Sequence, residues 1–177
     1  MGVGPAYGRV VSQGNLSGST PEITYTGLGV GYELMMGGTL SSGVVLGGGL
    51  LAQDIVSPKV ETKTSASGPK VAVDPSSDRL GIALAGLFVD WFPIERAGAH
   101  VGAMLGLGRV GLQDSKGNTP SGGGASLFGG YDFWVGSQWS LGLEGRALAV
   151  RTERDVPAVT FEDSALGFQL LVSALYH

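Results

Sequence analysis

Residues 27–36 read GLGVGYELMM. Leu28, Val30, Tyr32, Leu34 and Met36 alternate with Gly27, Gly29, Gly31, Glu33 and Met35. A period of two places the large apolar residues on one face of a strand and the small ones, with a single acid, on the other. The pattern recurs. Trp139, Leu141, Leu143, Gly145, Ala147 and Ala149 oppose Ser140, Gly142, Glu144, Arg146, Leu148 and Val150. Leu166, Phe168, Leu170, Val172, Ala174 and Tyr176 oppose Gly167, Gln169, Leu171, Ser173 and Leu175.

The alternation predicts eight strands, at 4–12, 24–37, 43–55, 79–91, 99–112, 124–134, 139–152 and 161–176. Most are longer than a typical soluble strand of ~5–6 residues and match the ~9–11 that a tilted strand needs to cross a bilayer. The connections at 38–42, 92–98 and 135–138 are short. Those at 13–23, 56–78, 113–123 and 153–160 are longer and polar. Alternating short and long connections gather the turns at one end and the loops at the other, the layout of a transmembrane barrel. Trp91, Phe92, Phe133, Trp134, Trp139 and Tyr176 cluster at the short-turn end as an expected interfacial girdle. Tyr25 and Phe161 would form a thinner one at the loop end.

Composition fits this layout. Thirty-two of 177 residues are Gly, against a usual ~7%, and 15% are charged, against ~25%. No Cys is present, which excludes disulfides, thiolate metal sites and a cysteine nucleophile. A net charge of −4 without a basic cluster disfavours nucleic-acid binding. The longest helix-like apolar run, Leu80 to Val89, is half of what a spanning helix needs. The start of the chain lacks the basic and apolar regions of a leader; the barrel reading favours a mature outer-membrane protein whose leader has been removed. A soluble eight-stranded barrel would close its sheet equally well, but its exterior should be charged, whereas the large-residue faces of the second and eighth strands carry no charge.

At this level the sequence resembles the small eight-stranded outer-membrane barrels of OmpA/OmpX type, and most closely the outer-membrane β-barrel proteins of myxobacteria. The resemblance rests on residues 27–51, 87–93 (LFVDWFP), 129–146 (GGYDFWVGSQWSLGLEGR) and 170–177 (LLVSALYH). It implies an all-β, eight-stranded antiparallel up-and-down barrel formed by residues 1–177 as one domain. It also implies a monomer surrounded by outer-membrane lipids and lipopolysaccharide. The last strand, with Leu170, Val172, Ala174 and Tyr176 alternating, resembles the signal read by the barrel assembly machinery; His177 displaces the aromatic from the final position.

The inward face holds the candidate chemistry. Glu33, Asp90 and Asp132 each sit between bulky outward residues near a short-turn end, and His100, Glu144 and Arg146 share the interior. Arg9 is a further inward candidate. Acids and bases confined to a narrow lumen are expected to pair, giving a polar plug; a narrow passive channel is the alternative. The inward phase of the fourth strand is open, because Leu80, Ile82 and Leu84 would then face in, unless a bulge near Ala85 and Gly86 switches it. Some small outer-membrane barrels modify lipid A. Here His100 has no Ser two residues on, His177 is terminal and no G-x-S-x-G occurs, so no catalytic residue, metal site or cofactor is expected. The Gly runs lead into no helix and lack the phosphate-loop Lys. Arg79, Arg109 and Arg151, near the loop rim, are candidates for lipopolysaccharide phosphates.

Overall fold

The computed structural model describes residues 1–15, 22–63, 71–73, 79–94, 97–112, 121–156 and 159–176. Eight long strands form the wall: β1 (Gly2–Asn15), β2 (Glu22–Ser41), β3 (Val44–Val56), β6 (Arg79–Trp91), β7 (Ala99–Leu112), β8 (Ser121–Trp134), β9 (Trp139–Val156) and β10 (Val159–Tyr176). Two short strands, β4 (Lys59–Lys63) and β5 (Val71–Val73), lie in the second long connection. Each wall strand pairs antiparallel with its sequence neighbour in the wall, and β1 pairs with both β2 and β10, which closes the ring. Closure leaves the ring without an unpaired edge.

The ring is staggered. The row of paired residues leaving Glu33 through β1 reaches β8 at Asp132, and through β3 it reaches β8 at Gly122. Strands are therefore tilted and offset by ten residues around the barrel, as closure of a tilted sheet requires.

The alternation sorts as the strand period dictates. Leu28, Leu87, Leu105, Leu107, Leu127, Phe168 and Val172 are exposed on the outside, and Val10, Ile55, Ile82, Leu84, Met104, Leu148 and Val150 are buried inside. Outward apolar residues of this number in a closed ring need a lipid solvent.

Three expectations change. No bulge occurs in β6: it pairs β3 and β7 in unbroken register through Ala85 and Gly86. Leu80, Ile82 and Leu84 therefore face inward and join the apolar core. The connection at 153–160 is almost entirely strand, because β9 and β10 continue pairing up to Val156 and Val159. That at 56–78 is not plain loop: β4 takes over from β3 as the partner of β2 at residues 22–26, and β5 pairs with β4. The switch occurs at Ser57, whose φ of 48° lies in the left-handed region. At the opposite end the tight turns hold. Gly43 (φ 73°) and Gly98 (φ 75°) supply the positive φ that their turns require, and Phe92 N–H donates to the Gly43 carbonyl at 2.7 Å, tying two turns together.

Candidate functional site in the barrel lumen

Two kinds of packing occupy the lumen among the described residues. Toward the long loops, Val10, Ile55, Leu80, Ile82, Leu84, Val110, Leu148, Val150 and Ala165 form an apolar core, with Tyr25 packed against it. Toward the short turns, charged groups converge. Glu33, Asp90 and Asp132 are 8, 7 and 3% exposed, whereas the residues flanking them along each strand, Tyr32, Leu34, Val89, Trp91, Tyr131 and Phe133, are 43–59% exposed. The acids are thus held inside by the same parity that sends their neighbours out.

Arg146 on β9 is the centre of the cluster. Its Nη2 donates to Glu33 Oε2 at 2.6 Å, an ion pair that spans the lumen from β9 to β2. The same guanidinium meets Glu144 Oε1 through Nη2 at 2.7 Å and Nε at 2.9 Å. Nη1 donates to Ser126 Oγ at 3.2 Å, and the guanidinium carbon lies 4.3 Å from the centre of the Phe128 ring. The planar fork of Arg suits this: two carboxylates, a hydroxyl and a π face are served at once. Full burial of the Arg146 side chain is tolerable only because its charge is met.

His100 on β7 is a separate centre. Its Nδ1 lies 3.1 and 3.0 Å from Asp90 Oδ1 and Oδ2. Phe92 stacks on its ring at 5.0 Å and Phe128 lies tilted at 6.3 Å. Asp132 shares a cross-strand row with Gly142 on β9 and Ser173 on β10; a Cβ at Gly142 would collide with the Asp132 carboxylate and the Ser173 hydroxyl. The structure therefore brings Glu33, Glu144 and Arg146 into one ion-paired group and Asp90 and His100 into a second. Gln53 and Gln169, which alternation alone does not single out, meet at mid-lumen with Nε2 of Gln169 donating to Gln53 Oε1 at 3.4 Å. Their inward parity is the available signal.

The aromatic girdle divides. Trp91, Phe133, Trp134, Trp139 and Tyr176 are exposed at the short-turn end, with Trp139 and Tyr176 edge to face at 5.3 Å. Phe92 is not among them: half buried, it covers His100. Tyr25 and Phe161 do not form a second girdle either. Tyr25 packs on the core, and the Phe161 ring lies over Gly14 on the inner side. Arg9 points outward, paired in register with Thr26 and Leu166. Arg79, Arg109 and Arg151 are likewise exposed on the outer wall near the loop end. His177 lies outside the described residues.

Beyond the apolar band, Glu22 accepts from Lys63 Nζ at 3.1 Å and from Gln13 Nε2 at 3.2 Å. The Lys63 ammonium, then the Gln13 amide, holds the Glu22 carboxyl below its ordinary value. Any stability from this link is present above the unfolded-state pKa of Glu and lost as pH falls through the lowered one. It is small, since both groups meet solvent. In Lys63→Gln, the Glu22 carboxyl should titrate at higher pH by side-chain carbon NMR; an unchanged titration would mean that the pair is not populated.

An antiparallel eight-strand ring, with an apolar exterior and a charged, packed interior, defines the class: this is the fold of the small outer-membrane β-barrels. Among solved structures the chain resembles the outer membrane protein OprG of Pseudomonas aeruginosa, with a TM-score of 0.52 and 10% identity over 99% of this chain and 95% of that one. Neisserial surface protein A aligns with a TM-score of 0.45 and 12% identity over 95% and 96% of the two chains. Outer membrane protein AlkL aligns with 0.43 and 16% over 99% and 88%. At such identities the likeness concerns the fold, and the first of the three carries it. No protein-family model and no curated protein matches the sequence.

Proposed function

We propose that the protein is an integral, monomeric outer-membrane barrel that does not conduct and does no catalysis. In this reading it serves the membrane structurally and presents its long-loop end to partners outside the cell. The observation that carries the reading is the filled lumen: the Glu33–Arg146–Glu144 chord crosses one half, and the apolar core occupies the other. An aqueous path would need both to yield. The surface role is supported by ordered strand beyond the lipid band. β2 has 20 residues, and β9 and β10 have 18 each, against ~9–11 needed to cross. The surplus carries Glu22, Glu153 and Glu162 on the loop side, where Lys63 of β4 meets Glu22. In the same reading, the alternating end of β10 is what the assembly machinery would recognise.

Planar-bilayer recording of the purified, refolded protein tests the central claim. No steady single-channel steps are expected across the physiological voltage range. Reproducible ohmic steps, altered in Glu144→Gln, would establish the channel reading instead.

A further inference from the structure

The outer wall is not uniformly convex. A groove of about 620 Å³ runs along it over β2, β3, β6 and β7. Its floor is made of small residues: Ala52 pairs with Ala83, and Ala85 follows on the same strand. Tyr32, Leu34 and Leu50 rise on one side and Leu107 on the other. Arg109 stands at its loop-side end, across from Ala83 and beside Ser121. Arg109 is exposed and makes no ion pair among the described residues, unlike Arg146 in the lumen. The volume lies within the range of pockets that hold a single ligand, ~300–1,000 Å³. A wall facing lipid gains nothing from a hollow unless something fills it, because close packing is what makes dispersion favourable.

We propose that this groove seats one acyl chain of lipid A, the phosphorylated glycolipid of the outer leaflet, with Arg109 binding its phosphate. Charge complementarity selects the occupant: the long-loop end faces outward in this fold, so the exposed Arg109 guanidinium at that level meets the phosphates of the outer leaflet. A guanidinium also suits two-point contact with phosphate. Chain and phosphate are held at a fixed separation by one molecule, which a loose shell of lipids would not require. The inference rests on the membrane-embedded reading. Failure of that reading would appear as protein that stays soluble and monomeric without detergent. Failure of this inference leaves a folded barrel without lipid selectivity.

Native mass spectrometry of the full chain, released from detergent micelles doped with lipid A, reads the test directly. One lipid A adduct is expected on the wild type. Arg109→Gln should lower its occupancy about tenfold, the loss of one charge-assisted contact. Ala83→Phe, which fills the floor while leaving Arg109 in place, should do the same. Arg9→Gln, outward on β1 at the far side of the ring from Arg109, should change occupancy less than about twofold. Heat-modifiable migration on gels shows that each variant is folded. Equal occupancy in Arg109→Gln, in Ala83→Phe, with dephosphorylated lipid A, or with phosphatidylglycerol in place of lipid A would overturn the proposal.

Discussion

Arg146→Met should destabilise the barrel by about 3–5 kcal/mol, the cost of leaving buried partners of an ion pair without their counter-charge. Two carboxylates, Glu33 and Glu144, lose their cation at once, and both are buried. The packing volume of the side chain is largely kept by Met, so the loss reports charge rather than a cavity. Urea unfolding in lipid vesicles, followed by Trp fluorescence, measures it. The companion variant carries Glu33→Gln, Glu144→Gln and Arg146→Met together. It should recover most of the loss, because a neutral set has no charge to desolvate. A single Arg146→Met variant as stable as wild type would mean that the chord across the lumen does not form.

Contrast between the two faces of a strand decides how much of this is legible in the sequence. For β2, β9 and β10 the faces differ so much in size and polarity that parity alone separates inside from outside, and Glu33, Glu144 and Arg146 follow. For β6 it cannot. Leu80, Ile82 and Leu84 alternate with Gly81, Ala83 and Ala85, so both faces are apolar and the phase is set only by register against β3 and β7. Pairing also explains the residues that alternation misplaces. Tyr25 and Phe161 lie near the loop rim as an interfacial belt requires, but their odd parity turns them onto the core side. Phe92 follows the last residue of β6, where alternation ends, and the turn folds it over His100. Arg9 lies between two possible phases in the sequence, and its pairing with Thr26 and Leu166 fixes it outward. Connections read from polarity come out too long for a related reason. Above the lipid band a strand has water on its outside, so charged residues such as Glu153 and Glu162 continue a hairpin that polarity alone reads as loop.

The glycines supply the second large effect. Gly49, Gly86, Gly106 and Gly124 form one cross-strand row on the inner wall of β3, β6, β7 and β8. The row makes room for longer chains beside it: a Cβ at Gly49 would lie 3.1 Å from Cγ of Met35, its partner on β2, and one at Gly124 2.8 Å from Leu84 Cδ1. At Gly86 and Gly106 the obstruction is main chain. A Cβ on Gly106 would run into the Ala85 carbonyl and the Gly86 Cα, and one on Gly86 into the corresponding atoms of Leu105 and Gly106. Backbone in a hydrogen-bonded wall cannot swing aside as a side chain can. Gly106→Val should therefore cost about 3 kcal/mol, the upper part of the usual overpacking range, or prevent refolding into vesicles. Gly123, on the adjoining strand but facing outward, has no atom within 4 Å of where a Cβ would stand. Gly123→Val should be neutral or slightly stabilising, since a β-branched residue suits a strand and adds apolar surface to lipid. Urea midpoints of the two variants measured side by side decide the matter. Equal behaviour would mean that the inner glycines reflect composition rather than the space they leave, and that the wall can spread to admit a side chain.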